Sequence, residues 1–112
     1  MDVNPSAPVI TRDEILIAAP LDVVWNTQLD VAAWPRWRPQ VPAARVESAL
    51  GVGSVFYWEE GGLHIASTVR EIVPQKRLVW DGPAHGIYAI HVWEFTPTDH
   101  GVLVRTAESW EG

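Results

Sequence analysis

The C-terminal segment 86–112 constrains the fold most, because its pattern predicts one long β-hairpin. The stretches 87–95 and 102–110 are rich in β-branched and aromatic residues, and Pro-Thr-Asp-His-Gly at 97–101 separates them. A cluster of proline, aspartate and glycine is typical of a turn. The segment therefore predicts two adjacent antiparallel strands.

Each arm of this hairpin has two faces, because side chains alternate along a strand. Neither face is purely apolar, so the pattern alone leaves the choice open. We expect the face with Trp93 and Trp110 to point inward, since it collects the largest rings. This choice leaves Glu94 and Arg105 on the outside.

The inward choice brings His91 beside a polar partner. A four-residue loop, from Thr98 to Gly101, would place His91 opposite Glu108, and a loop two residues longer would place it opposite Thr106. Either register puts an imidazole beside a carboxylate or a hydroxyl on an otherwise aromatic surface. This pair is the first candidate for chemistry in the chain.

The remainder of the chain predicts a single α+β domain. Residues 1–8, with two prolines, predict a loose leader, and helical spacing occurs only between Pro20 and Trp37. Pro20 favours the start of a first helix, and Asp30 favours a second short helix through Trp34. Besides the hairpin arms, strands are predicted at 9–18, 45–48, 54–59, 63–73 and 77–81, with turns at 51–53, 60–62, 74–76 and 82–83. This order predicts a curved seven-stranded antiparallel sheet, with the two short helices between its first and second strands.

The same alternation gives the other strands an aromatic inner face and a charged outer face, which is typical of a half-solvated antiparallel sheet. The inner residues of these strands are predicted to be Phe56, Trp58, Ile65, Ser67, Val69, Leu78 and Trp80. The outer residues are predicted to be His64, Thr68, Arg70, Arg77 and Asp81, together with Glu94 and Arg105. The polar side chains that interrupt the inner face are Ser67, His91, Thr106 and Glu108.

Composition argues against several kinds of partner. The net charge of −6 and the pI near 5.0 argue against nucleic acid and against an anionic membrane surface. No apolar run approaches the roughly 18 residues of a membrane span, and the N-terminus lacks a secretory signal pattern, so we expect a cytoplasmic protein. The chain has no cysteines, and His64, His85 and His100 lack metal-ligand spacing. We therefore predict neither a metal site nor a cofactor.

Five short motifs carry a resemblance to a known family. They are Val24-Trp25, the run from Asp30 to Trp37 that ends in Trp-Pro-Arg-Trp, Gly51-Val52-Gly53, the run Ile-Val-Pro-Gln-Lys-Arg-Leu at 72–78 and the closing run Thr-Ala-Glu-Ser-Trp-Glu-Gly at 106–112. Together they resemble the START-related, pollen-allergen-like helix-grip superfamily (SRPBCC), and the polyketide cyclase/dehydrase and lipid-transport branch looks closest. The resemblance implies one helix-grip ligand-binding domain over residues 1–112. In such a domain a curved sheet grips a long C-terminal helix, with a ligand cavity between them.

The chain ends at Gly112, where the resemblance places the start of that long helix. We therefore expect the domain to be incomplete at its C-terminus, with the long helix missing. An open inner face that carries Trp58, Trp80, Trp93 and Trp110 would expose on the order of several hundred Å² of ring surface, at the upper limit for typical monomers. We expect that face to be covered by a lost helix, by a second copy in a homodimer or by a bound ligand.

The resemblance and the polar inner pair lead to three hypotheses for function. The chain binds or carries a hydrophobic small molecule, catalyses cyclisation or dehydration of a polyketide-like substrate, or acts as a protein-interaction module. In an enzyme, His91 and Glu108 would be the acid/base pair; the alternative is a buried polar pair that only supports the fold. The predicted ligand-binding residues are Trp58, Ser67, Trp80, His91, Trp93, Thr106, Glu108 and Trp110.

Overall fold

The computed structural model describes residues 1–47, 49–84 and 86–112. The end of the strand predicted at 45–48, and His85, lie outside the described residues. The strands are β1 (Val9–Ile17), β2 (Ala44–Val46), β3 (Val55–Glu60), β4 (Leu63–Val73), β5 (Arg77–Ala84), β6 (Ile87–Thr98) and β7 (Gly101–Glu111). Between β1 and β2 lie the helix α1 (Leu21–Leu29) and a 3₁₀ helix (Val31–Arg36).

The strands form one antiparallel sheet, and the predicted α+β architecture is confirmed. Their order in the sheet is β1-β7-β6-β5-β4-β3-β2. Strands β2 to β7 are therefore a meander, in which each strand pairs with the next along the chain. Strand β1 pairs instead with the last strand, from Val9 opposite Trp110 to Ile17 opposite Val102.

The two short helices occupy the predicted position. Helix α1 begins after Pro20, at an end where the N–H that proline lacks would have no partner within the helix. The following 3₁₀ helix contains Pro35 and ends at Arg36, two residues later than predicted. Asp30 stands before it but makes no side-chain capping hydrogen bond. Both helices cover the inner face of the sheet with buried residues, which are Val24, Trp25, Gln28, Val31 and Trp34.

The turn predicted at 82–83 is wrong, because β5 continues through both residues to Ala84. Gly82 pairs with Ala89 of β6 on one side. On the other side the backbone of β4 comes so close that a Cβ added to Gly82 would lie 2.1 Å from the oxygen of Ala66. The glycine is therefore needed for close approach between strands within the sheet, and not for a reversal of the chain.

The terminal hairpin has the shorter of the two predicted loops. Pro97 lies opposite Val102 and His91 lies opposite Glu108. Thr98 and Gly101 also pair, so that only Asp99 and His100 remain outside the ladder. The alternative register, with His91 opposite Thr106, is excluded.

The predicted loose leader packs on the outer face of the sheet. Val3 is buried against Val79, Ile90 and Val92, which form a second, smaller apolar cluster. The backbone N–H of Asn4 donates to the Ser109 hydroxyl at 3.0 Å, and its amide Nδ2 donates to Glu111 at 2.8 Å. The prediction for residues 1–8 is wrong because the partners of Val3 and Asn4 lie in β5, β6 and β7, far along the chain and beyond the reach of any local pattern.

Candidate functional site

The inner-facing polar pair lies in a row that crosses four neighbouring strands. Val69 is paired with Trp80, Trp80 with His91, and His91 with Glu108. Directly opposite residues share a face of the sheet. A second row, Arg77, Glu94 and Arg105, crosses the sheet on the outer face. The predicted assignment of the inner and outer faces therefore agrees with the structure.

His91 and Glu108 are in contact. Nδ1 of His91 lies 3.2 Å from Oε1 of Glu108. The other carboxylate oxygen accepts a hydrogen bond of 3.1 Å from the indole Nε1 of Trp110. His91 is 4% exposed, whereas the Glu108 side chain is 33% exposed. The carboxylate thus fixes the orientation of the imidazole, with Nε2 of His91 on the side away from Glu108.

The environment of Glu108 favours its ionised form. Partial burial by itself raises the pKa of this carboxyl. The hydrogen bonds from His91 and Trp110, with the charges of His91 and Arg38, outweigh burial and hold the pKa below its ordinary value. Glu108 is therefore a carboxylate at neutral pH.

Three tryptophan rings surround His91. Trp80 stacks on the imidazole with ring centres 5.6 Å apart and planes at 27°. The rings of Trp58 and Trp110 meet it edge to face at 5.9 and 5.5 Å. Ser67 supports this group, since its hydroxyl accepts a hydrogen bond of 3.1 Å from Nε1 of Trp58. Ser67 is 1% exposed and is not among the residues that line the groove described below.

The helices cover much of this aromatic surface within the chain itself. Trp34, from the 3₁₀ helix, is fully buried and its ring lies 5.6 Å from the rings of Phe56, Trp58 and Trp80. Trp58 is 4% exposed and Trp80 is 1% exposed. The expectation that these two rings depend on a cover from outside the chain is therefore wrong. The predicted site residues Trp93 and Trp110 are only partly buried.

A groove of about 510 Å³ lies beside the buried pair, between α1 and the inner face of β1, β6 and β7. Its walls are largely apolar and include Ile17, Val24, Trp93, Phe95 and Val104. Its polar lining includes Gln28, Arg38 and Thr106. Trp93 and Thr106 face each other across β6 and β7, and His91 and Glu108 are the next inner pair along these strands. Same-face positions on a strand are about 7 Å apart, so the pair lies one step along the strands from the groove lining, which includes neither His91 nor Glu108.

Arg38 is a site residue that the sequence reasoning missed. Its guanidinium carbon lies 5.1, 5.8 and 5.9 Å from the ring centres of Trp34, Trp37 and Trp58. The side chain is 14% exposed, and its Nη2 lies 3.3 Å from a carboxylate oxygen of Glu60. Burial lowers the pKa of Arg38, while the charges of Glu60 and Glu108 raise it. The available signal for this cation–π group was the run Trp-Pro-Arg-Trp-Arg, in which Arg38 directly follows Trp37 and lies four residues after Trp34.

Buried N–H donors near the groove lack partners in the part of the chain that the structure describes. They are Nε2 of Gln28, Nη1 of Arg38 and Nε1 of Trp80. Gln28 and Arg38 both line the groove. A buried donor without an acceptor is rare and costs about 1–3 kcal/mol, so such groups often mark a function.

The described residues form neither a metal site nor a membrane-spanning helix. Within residues 1–47, 49–84 and 86–112, no group of three or more His, Cys, Asp or Glu side chains is placed to hold a metal ion. Among the described helices, none is long and apolar enough to cross a membrane.

Comparisons with known proteins agree with this geometry. The sequence profile described as "Polyketide cyclase / dehydrase and lipid transport" matches residues 8–112. A putative polyketide cyclase of Streptomyces halstedii is 33% identical over 110 residues, which cover 85% of this chain and 94% of that protein.

Solved structures share the fold. A hypothetical protein from Helicobacter pylori superposes with a TM-score of 0.86 at 19% identity, over 96% of this chain and 73% of that chain. A START superfamily protein from Mycobacterium smegmatis gives a TM-score of 0.78 at 12% identity, over 91% of this chain and 76% of that chain. At these identities the likeness establishes the architecture alone.

Proposed function

Because the chain belongs to the polyketide cyclase/dehydrase and lipid-transport family, we propose that it binds a hydrophobic, polyketide-like or lipid-like small molecule in the groove beside α1. The observation that supports this proposal is an apolar groove of about 510 Å³ with a few polar groups at one side. Ligand sites commonly have this size and this balance of apolar wall and placed polar groups. Trp93 and Phe95 provide flat surfaces against which a conjugated ligand packs.

We further propose that His91 acts as the acid/base group in a dehydration or cyclisation. Its Nδ1 is held by Glu108, so the reactive nitrogen is Nε2. For a β-hydroxy ketone, Nε2 removes the proton on the carbon next to the carbonyl, and an enolate forms. The C–O bond to the hydroxyl then breaks as a C=C bond forms. The imidazolium returns its proton to the departing hydroxyl, which leaves as water.

Glu108 and the groove have distinct roles in this scheme. The carboxylate of Glu108 orients the ring and stabilises the imidazolium that exists between the two proton transfers. The apolar wall excludes water from the enolate, so that the proton is not exchanged with solvent. Thr106, which faces the groove beside Glu108, is available for a hydrogen bond to the ligand.

The experiment that tests the catalytic proposal uses 4-hydroxy-4-(2-naphthyl)butan-2-one, a flat β-hydroxy ketone. Its dehydration product is a conjugated enone, so turnover is followed by ultraviolet absorbance. We expect His91→Ala to lower turnover by about 10²–10⁴-fold, the usual contribution of a positioned acid or base. His100→Ala, in the exposed turn of the terminal hairpin, is the matched control and should leave turnover unchanged. Equal turnover in wild type and His91→Ala would contradict the catalytic role.

The burial of His91 supports a second candidate, a carrier that binds without chemistry. At 4% exposure, beneath the rings of Trp58, Trp80 and Trp110, the imidazole is hard for a substrate to reach. A carrier would release its ligand unchanged. Mass spectrometry of ligand that copurifies with native protein, before and after incubation, distinguishes the two candidates. A recovered compound of unchanged mass supports the carrier, and a mass lower by one water supports the enzyme.

A further inference from the structure

Two residues that line the groove each have a buried N–H donor without an acceptor in the described chain, and both come from the helical side of the molecule. Nε2 of Gln28, on α1, has no acceptor although the residue is only 6% exposed. Nη1 of Arg38, in the segment after the 3₁₀ helix, also lacks an acceptor. Other polar groups near them are already used: the Thr27 hydroxyl, for example, donates to the carbonyl of Val23 at 2.7 Å.

The charge of Arg38 is only partly balanced by the protein. Glu60 contacts it through a single long bond of 3.3 Å and is itself 40% exposed, so solvent weakens that pair. Glu108 also acts on Arg38 through its charge, but its two oxygens already face His91 and Trp110. A cationic residue that lines the groove therefore retains one buried N–H without an acceptor in the described chain, next to the rings of Trp34 and Trp58.

We propose that the ligand of this groove carries a carboxylate, which Nη1 of Arg38 and Nε2 of Gln28 bind. This inference rests on the proposed function, and it specifies the ligand class as a flat, conjugated or aromatic carboxylic acid. Two N–H donors, one of them cationic, match the two oxygens of a carboxylate. A neutral amide of the same shape would turn its own N–H group toward these donors, and it would leave one of them without an acceptor.

The binding of 2-naphthoate and 2-naphthamide tests this inference directly. The two probes have the same ring system and differ in the charge and donors of one group. Isothermal titration calorimetry at pH 7.5 gives both dissociation constants for the wild-type chain. We expect 2-naphthoate to bind at least about tenfold more tightly, because a hydrogen bond to a charged group contributes about 1.5–3 kcal/mol.

Variants of single residues test whether Arg38 causes the preference for 2-naphthoate over 2-naphthamide. Arg38→Met keeps the length of the side chain and removes the donors, and it should reduce the affinity for 2-naphthoate to that for 2-naphthamide. Arg45→Met is the matched control, since Arg45 packs over the ring of Tyr57 at 4.5 Å but does not line the groove. Glu60 is partly exposed. Glu60→Gln should strengthen 2-naphthoate binding, because Arg38 loses a competing carboxylate.

The outcomes separate this inference from the proposed function. Equal affinity of the wild type for both probes would overturn the carboxylate inference, while the groove would stand as a hydrophobic site. Weaker 2-naphthoate binding in Glu60→Gln, or a preference that survives in a folded Arg38→Met, would also overturn it. If neither probe binds, the proposed groove fails and the inference fails with it.

Discussion

Each face of the sheet holds a carboxylate with two partners, and the two carboxylates differ in what surrounds them. On the outer face Asp81 is 4% exposed. Its carboxylate accepts a hydrogen bond of 2.7 Å from Nε of Arg70 and a second one from the hydroxyl of Tyr88. On the inner face Glu108 contacts the imidazole of His91 and the indole of Trp110. The outer group accepts from a guanidinium and a phenol, whereas the inner group contacts an imidazole, whose two nitrogens can each donate or accept.

The partners of Asp81 keep one protonation state over the whole physiological range. Its hydrogen bond raises the pKa of Arg70. Burial, together with Asp81, raises the pKa of Tyr88 to about 12. Because neither Arg70 nor Tyr88 changes charge near neutral pH, Asp81 has no partner with which to exchange a proton, and the outer network serves the fold alone. A carboxylate is therefore the better candidate for chemistry where its partner is an imidazole and a cavity lies near it.

The largest expected loss of stability tests whether the inner face of the sheet is packed more tightly than the outer face. Trp80→Ala should lower the free energy of unfolding by about 3–5 kcal/mol, because a large ring leaves a cavity in a rigid cluster. The ring of Trp80 contacts Trp34, Phe56 and His91. Ile90→Val, in the small outer cluster, should cost only about 0.5–1.5 kcal/mol. Urea denaturation followed by circular dichroism measures both, and similar losses would show that the two clusters contribute alike.

An intermediate effect is expected for the outer carboxylate. Asp81→Asn removes the charge beside Arg70 but retains an acceptor for the Tyr88 hydroxyl. We expect a loss of about 1–2 kcal/mol, reduced by the half-exposed position of Arg70. Binding of 2-naphthoate should not change, because Asp81 lies on the opposite face from the groove. Weaker probe binding in a folded Asp81→Asn variant would break the proposed separation of the faces.

The smallest effect on stability is expected for Glu108→Gln. The folded state lowers the pKa of Glu108, so the carboxylate contributes stability above its unfolded pKa of about 4.3 and loses it as the pH falls through the lower folded value. At pH 7 the variant should be less stable by at most about 1 kcal/mol, because the side chain is a third exposed. As the pH falls below about 4.3 and through the lower folded value, the difference between the two proteins should shrink toward zero. Denaturation midpoints from pH 3 to pH 7 test this, and a difference that grows on acidification would contradict the assigned sign.

The sequence predicts the sheet well because strand alternation is a local signal. Trp93 and Glu94 belong to opposite faces in any register, and the Pro-Thr-Asp-His-Gly turn limits the loop length. These signals predict the strands and the inner face, but they leave His91 opposite either Glu108 or Thr106, and the structure supplies the register and the strand order. Strand alternation gives no information about residues 1–8 or about the helical connection between β1 and β2, because these segments do not alternate.

What the sequence could not predict depends on distant contacts. Val3 is one apolar residue between polar neighbours, and only the sheet surface gives it a partner. Arg38 lies in a proline-rich segment without periodicity, so the adjacent tryptophans indicate a cation–π contact but not that the guanidinium packs against Trp58 of a distant strand. Gly82-Pro83 has the composition of a turn, but a glycine is needed at position 82 because the backbone of β4 leaves no room for a Cβ. In each case tertiary packing decides between local alternatives of similar energy.

The pairing of β1 with β7 also has a consequence for folding during synthesis. The meander from β2 to β7 can form between neighbours along the chain, but Val9 meets Trp110 only when nearly the whole chain exists. At a translation rate of about 5–20 residues per second, β1 waits on the order of 5–20 seconds for its partner. During that time Ile15 and Leu16 belong to an unpaired strand, which is open to contacts with other nascent chains. Cell growth at elevated temperature should therefore lower the yield of this protein through aggregation before it affects the folded molecule.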